Sequence, residues 1–172
     1  IKSLILDFQE SRLETGVPRR LRITTVRGKA AVCIGVRRSG KSTYLFQIIQ
    51  RLLDGGTPRQ NILYVNFFDD RLHSLREDNL GLITEAYYSL YPEKKNQEPV
   101  HCFFDEIQAA PGWEPFVDRL MRTEKCSVYL TGSSARMLSK EIATQMRGRA
   151  LSWEIFPLSF REFVDDTGMG NA

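Results

Sequence analysis

The 172-residue sequence has too little of several things to fit many protein classes. No stretch approaches the ~18 uncharged apolar residues that a membrane-spanning helix requires. The opening residues, IKSLILDFQESRLE, are interrupted by charge too early to form a secretory signal. There are three cysteines, Cys33, Cys102 and Cys126, and their odd number and spacing match neither a disulfide framework nor a metal-ligand pattern. A reducing, cytoplasmic setting is the expectation. The two histidines, His73 and His101, stand without a cysteine or carboxylate array, so packing or exposure accounts for them better than metal ligation. No Ser/His/Asp order stands out, and no G-x-G-x-x-G joins the first strand to its helix, which disfavours a dinucleotide-binding fold. No NKxD-type guanine reader is present either, which leans towards adenine.

What is present is the balance of one globular domain, with 42% hydrophobic and 26% charged residues. The net charge of +3 is too weak to argue for nucleic acid. Its distribution is uneven, because Arg19, Arg20, Arg22, Arg27, Lys29, Arg37, Arg38 and Lys41 crowd one stretch. They predict a cationic field around one loop, suited to a nucleoside triphosphate as well as to DNA.

Short apolar runs rich in β-branched and aromatic residues predict strands over 30–34, 62–67, 100–104, 127–130 and 151–156. Helical patterns fall between them, over 41–53, roughly 71–90, 115–123 and 135–146. Another amphipathic helix over 1–13 occupies an N-terminal extension ending near residue 18. Strands alternating with helices, and continuous rather than alternating apolar runs, predict an α/β fold with a parallel sheet covered on both faces.

The strongest motif is GVRRSGKS, which fits G-x-x-x-x-G-K-[ST] and lies between a predicted strand and a predicted helix, the context that pattern needs. A phosphate chain requires many N–H donors at close range, and only a loop whose glycines accept unusual backbone angles can wrap it. Gly35, Val36, Arg37, Arg38, Ser39, Gly40, Lys41, Ser42 and Thr43 are the candidate nucleotide-binding residues. Lys41 would reach the outer phosphates and Ser42 would ligate Mg²⁺, while the helix N-terminus adds its dipole.

A second motif, VHCFFDEIQ, is an apolar strand ending in two carboxylates. Asp105 is the candidate metal residue and Glu106 the candidate that polarises the attacking water; adjacent residues at a strand end point opposite ways, which separates the two tasks. A third, SVYLTGSSARML, places Ser133, or failing it Thr131, where a hydroxyl could orient water or contact the γ-phosphate. The competing reading is that TGSS turns the chain and caps the next helix. A fourth, QMRGRALSWEIFPLSFREF, offers Arg147 and Arg149 as candidates to neutralise charge on a transferring phosphoryl group. Asp69 and Asp70 are read mainly as a helix cap, and Trp113 as a packing anchor.

In this order the motifs resemble AAA-type P-loop ATPases of the additional-strand class. More narrowly, RRSGKST, FFDEIQ followed by Pro111-Gly112-Trp113, LTGSSARML, and GRA followed by PLSFREF look like prokaryotic AAA-like ATPases that carry a C-terminal domain of unknown function. The resemblance covers about residues 18–163. It implies a three-layer α/β/α P-loop NTPase domain with a five-stranded parallel sheet of order 5-1-4-3-2, with Lys41, Ser42, Asp105, Glu106, Ser133 and Arg149 at matching positions. Serine stands at 133 where many AAA proteins have asparagine. The implied activity is Mg²⁺-dependent ATP hydrolysis to ADP and phosphate, with an arginine supplied either in cis or by a neighbouring copy in a homo-oligomer. The start at Ile1 and the GMGNA tail add the expectation that the chain is the motor half of a larger protein, whose further domain contacts DNA or a protein. The alternatives are an ATP-dependent switch with little turnover, and a P-loop kinase acting on a small molecule.

Overall fold

A computed structural model describes residues 1–75, 79–133, 146 and 148–167. Five strands among these residues form one all-parallel sheet in the order β2-β3-β4-β1-β5: β1 Ala30–Gly35, β2 Ile62–Asn66, β3 Val100–Asp105, β4 Cys126–Ser133 and β5 Ala150–Glu154. This is the order that the resemblance implied. Among the described residues five helices of eight or more residues accompany it: α1 Lys2–Glu10, α2 Lys41–Asp54, α3 Gly81–Leu90, α4 Trp113–Thr123 and α5 Phe160–Thr167.

The strands are apolar without alternation because both faces of the sheet are covered. On one face Ala30, Val32, Ile34, Phe104, Val128 and Leu130 pack under Ile83 and Tyr87 of α3 and Phe116, Val117 and Leu120 of α4. On the other, Ala31, Cys33, Phe103 and Tyr129 lie under Tyr44, Leu45, Ile48 and Ile49 of α2. Phe103 and Tyr129 stack there with ring centroids 4.3 Å apart. Truncating a fully buried ring such as Phe104 to alanine would cost ~3–5 kcal/mol. Helix α1 lies against the edge strand β2; its Gln9 amide donates to the Ile62 carbonyl (3.4 Å) and Phe8 stacks on Tyr64 at 4.5 Å, which shields the edge from pairing with another chain.

Two expected elements change. Where the helix predicted over roughly 71–90 was expected to begin, the Asp69 carboxylate accepts the Arg71 N–H (3.0 Å) and a short 3₁₀ turn over Asp70–Leu72 forms instead, and α3 occupies Gly81–Leu90. Asn79 Oδ1 then accepts the Gly81 N–H (3.0 Å) where α3 starts. Strand β4 continues through Thr131, Gly132 and Ser133, where a turn was the competing reading, because Cys33, Ile34 and Gly35 of β1 pair with them. Trp113 is buried as expected and opens α4. The helix predicted over 135–146 lies outside the described residues, apart from Met146.

Candidate nucleotide site

Parallel strands bring every carboxyl end to one edge of the sheet, and the chain leaves β1 there to enter the loop of residues 35–42. Gly35 has a steric cause: a Cβ on it would stand 2.3 Å from the Ile155 carbonyl oxygen and 2.7 Å from Ser39 Oγ. The chain leaving β5 presses on this position, since the Ile155 N–H donates to the Ile34 carbonyl at 2.7 Å. Arg38 (φ 65°) and Gly40 (φ 88°) take left-handed conformations on either side of buried Ser39. Such alternation turns successive N–H groups towards one concavity, and the first turn of α2 adds donors without helical acceptors. Val36, Arg37 and Arg38 are exposed on the rim, whereas Ser42 and Thr43 are half-buried in the first turn of α2.

Lys41 is 4% exposed, and its Nζ donates to the carbonyls of Gly35 (3.2 Å) and Val36 (3.1 Å). Glu106 Oε1 lies 3.7 Å from the same nitrogen. The carboxylate after β3 and the lysine after β1 are therefore brought together, although 65 positions separate Lys41 from Glu106 in the sequence.

Asp105 and Glu106 have contrasting surroundings. Asp105 is fully buried; its Oδ1 accepts from the Thr131 hydroxyl and its Oδ2 from the Tyr64 hydroxyl (2.8 Å). Burial, the adjacent Asp105 charge and that hydrogen bond all push the Tyr64 phenol far above its usual range, so it remains a donor. The nearby Cys33 thiol, chiefly through burial and then through Asp105, is pushed up to about 12 and stays protonated. Glu106 leaves the strand in a left-handed conformation (φ 53°), its N–H donating to Thr131 Oγ1 at 2.8 Å. Its Oε2 accepts from the Gln108 amide. Thr131, the second candidate for a water or γ-phosphate contact, is fully buried, and its hydroxyl joins the Asp105 carboxylate to the Glu106 backbone. Ser133, the first candidate, stands half-buried opposite Gly35 at the end of β4.

Ser42 and Asp105 are hard oxygen donors of the kind Mg²⁺ takes, and each Asp105 oxygen keeps a lone pair beyond its one hydrogen bond. The donor set fits the cation.

The structure does not bring Arg149 to this edge. Arg149 precedes β5, its carbonyl accepts the Ala30 N–H, and its guanidinium pairs with Asp118 of α4 at the opposite, amino-terminal edge. Arg147 lies outside the described residues. The expected single cationic field is likewise split: Arg27 and Lys29 precede β1 and belong to the amino-terminal edge, while Arg37, Arg38 and Lys41 follow it. Sequence reasoning missed Tyr64, which no local motif marks, and the partners of Arg19 described below.

A phosphate-type loop joining β1 to α2, with the metal-type acid two strands away in a parallel β2-β3-β4-β1-β5 sheet, defines a P-loop NTPase of the α/β class. The chain belongs to the AAA domain family, whose profile matches residues 27–164. It is 39% identical over 164 residues to an uncharacterised protein of Methanocaldococcus jannaschii, covering 95% of this chain and 34% of that one. An uncharacterised protein of Haemophilus influenzae is 39% identical over 135 residues, covering 77% and 32%. The chain thus spans about a third of the length of these curated relatives. Among solved structures, Caenorhabditis elegans PCH-2 aligns with a TM-score of 0.53 at 17% identity, over 77% of this chain and 35% of that one. The Aeropyrum pernix ORC1 protein, solved in complex with DNA, aligns with a TM-score of 0.52 at 15% identity, over 82% and 43%. At such identities these two show the fold alone. No described helix is long and apolar enough to cross a membrane.

Proposed function

We propose that this domain binds ATP with Mg²⁺ and hydrolyses it to ADP and phosphate. The observation that carries the reading is the meeting of Lys41, Glu106 and Asp105 beside the loop of residues 35–42. The loop N–H groups and the α2 N-terminus hold the phosphates, and Lys41 exchanges its contact with Glu106 for the β- and γ-phosphate oxygens. Glu106, released from Lys41 in that exchange, is the base that takes a proton from the attacking water. Ser42 and Asp105 would hold Mg²⁺, which neutralises charge on the phosphate oxygens when bound. Ser133, level with Gly35, contacts the γ-phosphate or the water.

Because Arg149 stands at the far edge of the sheet, any arginine finger it provides serves the nucleotide of a neighbouring copy. Arg147 keeps the same proposed role. The domain is proposed to work in a cytoplasmic setting, its output passing to a DNA or protein partner through regions beyond this chain. The test is phosphate release from ATP, with and without Mg²⁺, by the wild-type chain and by Glu106→Gln. Release should fall by ~10²–10⁴ in the variant, the range for loss of a general base, while ATP binding is kept. Equal release in both proteins would sink the role of Glu106. ATP binding with no release above the variant would favour the switch reading.

A further inference from the structure

An anion-binding loop that turns its N–H groups to a ligand must turn carbonyls the other way, and those carbonyls need partners of their own. For Ser39, at the centre of the loop, the partner is Arg19. Its side chain is 8% exposed, and Nη2 donates to the Ser39 carbonyl at 2.5 Å and to the Phe156 carbonyl, just beyond β5, at 2.6 Å. Nη1 donates to Glu162 Oε2 of α5 at 3.2 Å. The Arg19 backbone is held independently: its N–H donates to Gln47 Oε1 of α2 (3.0 Å), and the Gln47 amide donates to the Thr15 and Val17 carbonyls. One side chain therefore joins the segment before β1, the phosphate loop, the exit of β5 and the last helix.

Glu162 has two tasks. It accepts from the Ser159 N–H (3.0 Å), while Ser159 Oγ accepts from the Glu162 N–H (3.2 Å), a reciprocal capping box that opens α5. It also accepts the Arg20 N–H (3.2 Å) and neutralises the Arg19 guanidinium. The start of α5 and the charge behind the phosphate loop thus depend on the same carboxylate.

The chemistry follows from one peptide unit. The Ser39 carbonyl and the Gly40 N–H belong to the same amide, so a cation held against the oxygen polarises the N–H on the other side and makes it a stronger donor. We propose that Arg19 is a positioning residue of the phosphate loop, set in place by Glu162, and that nucleotide occupancy is thereby coupled to the seating of α5. The inference rests on the ATP-binding reading and adds a regulatory contact to it. Coupling of this kind is reciprocal: whatever displaces α5 weakens nucleotide binding, and nucleotide steadies α5.

The experiment compares wild-type chain with Arg19→Gln, Glu162→Gln, their double variant and Arg19→Lys. It measures ATP affinity by calorimetry and amide hydrogen exchange of α5 with and without saturating ATP. Glu162→Gln should weaken ATP binding about five- to tenfold, the usual size of a coupling between sites. Arg19→Gln should weaken it at least as much, and the double variant no more than Arg19→Gln alone. ATP should slow exchange in α5 of the wild type and leave α5 of Arg19→Gln unaffected, with Arg19→Lys between them because its ammonium lacks the fork.

A merely structural salt bridge would lower thermal stability without moving either readout. The coupling is overturned if Glu162→Gln binds ATP as tightly as wild type or tighter, or if the two single effects add. Should Arg19→Gln not fold, the wild type alone decides, since α5 exchange indifferent to ATP also overturns it. Wild-type chain that binds no ATP overturns the ATPase reading and this inference together, whereas tight binding with an unresponsive α5 overturns only the inference.

Discussion

The two edges of the sheet are made from the ends of the same five strands, yet they hold charge in opposite ways. At the carboxyl edge Lys41 and Asp105 are buried and hydrogen-bonded to Gly35, Val36, Thr131 and Tyr64. At the amino edge Arg27, Lys29, Arg122 and Lys125 line an open concavity of about 750 Å³, and the pairs of Asp118 with Arg122 and Arg149 are largely solvated. Buried charges need fixed partners, because an unmatched one costs several kcal/mol, and those partners hold the groups still. Exposed pairs contribute little to stability and act through their field on what approaches. On the proposed reading the carboxyl edge performs the chemistry and the amino edge faces a neighbouring copy.

Four substitutions or conditions test that contrast. Lys41→Ala removes the buried cation of the carboxyl edge and should weaken ATP binding about a hundredfold or more, as loss of charge-assisted contacts does, in a calorimetric titration. Retained affinity would show that the loop amides suffice. Thr131→Val leaves both Asp105 Oδ1 and the Glu106 N–H without the hydroxyl, and should cost ~1–3 kcal/mol in urea unfolding.

Glu162 supplies the third test. Its burial would raise its pKa, but the N–H groups of Ser159 and Arg20, the Ser159 hydroxyl and the Arg19 charge lower it from 4.5 to about 2. A carboxylate held below its unfolded value stabilises the fold above the unfolded pKa, and that contribution is lost as pH falls towards the folded one. The stability difference between wild type and Glu162→Gln should therefore shrink from pH 4.5 down to pH 2. A difference independent of pH in that window would contradict it. Last and smallest, Arg149→Ala should change the stability of the dilute chain by no more than ~0.5 kcal/mol, because its ion pair is exposed. It should lower ATP turnover only at concentrations where copies associate; a loss in the dilute chain would mean that Arg149 reaches its own nucleotide.

Much of the carboxyl edge was legible in the sequence because its parts are contiguous there. GVRRSGKS is one loop, and FFDE is one strand end. What stayed hidden depends on contacts between distant segments. Tyr64 meets Asp105 because β2 lies beside β3 in register, and Arg19 meets Glu162 because two ends of the chain return to the same loop. The Ser159-x-x-Glu162 spacing did carry the mark of a capping box, but nothing local announces the arginine. The distance of Arg149 from the phosphate loop follows from topology alone. A residue that precedes a parallel strand lies at the opposite edge from a loop that follows one.

The position of β1 also sets an order of assembly. It is the first of the five sheet strands in the sequence, but its sheet neighbours come late: Ala31 pairs with Tyr129 and Ala30 with Ala150. Arg19 waits for a partner 143 residues further on. Contacts so far apart in sequence form slowly, and on a ribosome they cannot form before the later segment has emerged. The cradle encoded near the start of the chain is therefore among the last parts of the domain to be completed as the protein is made.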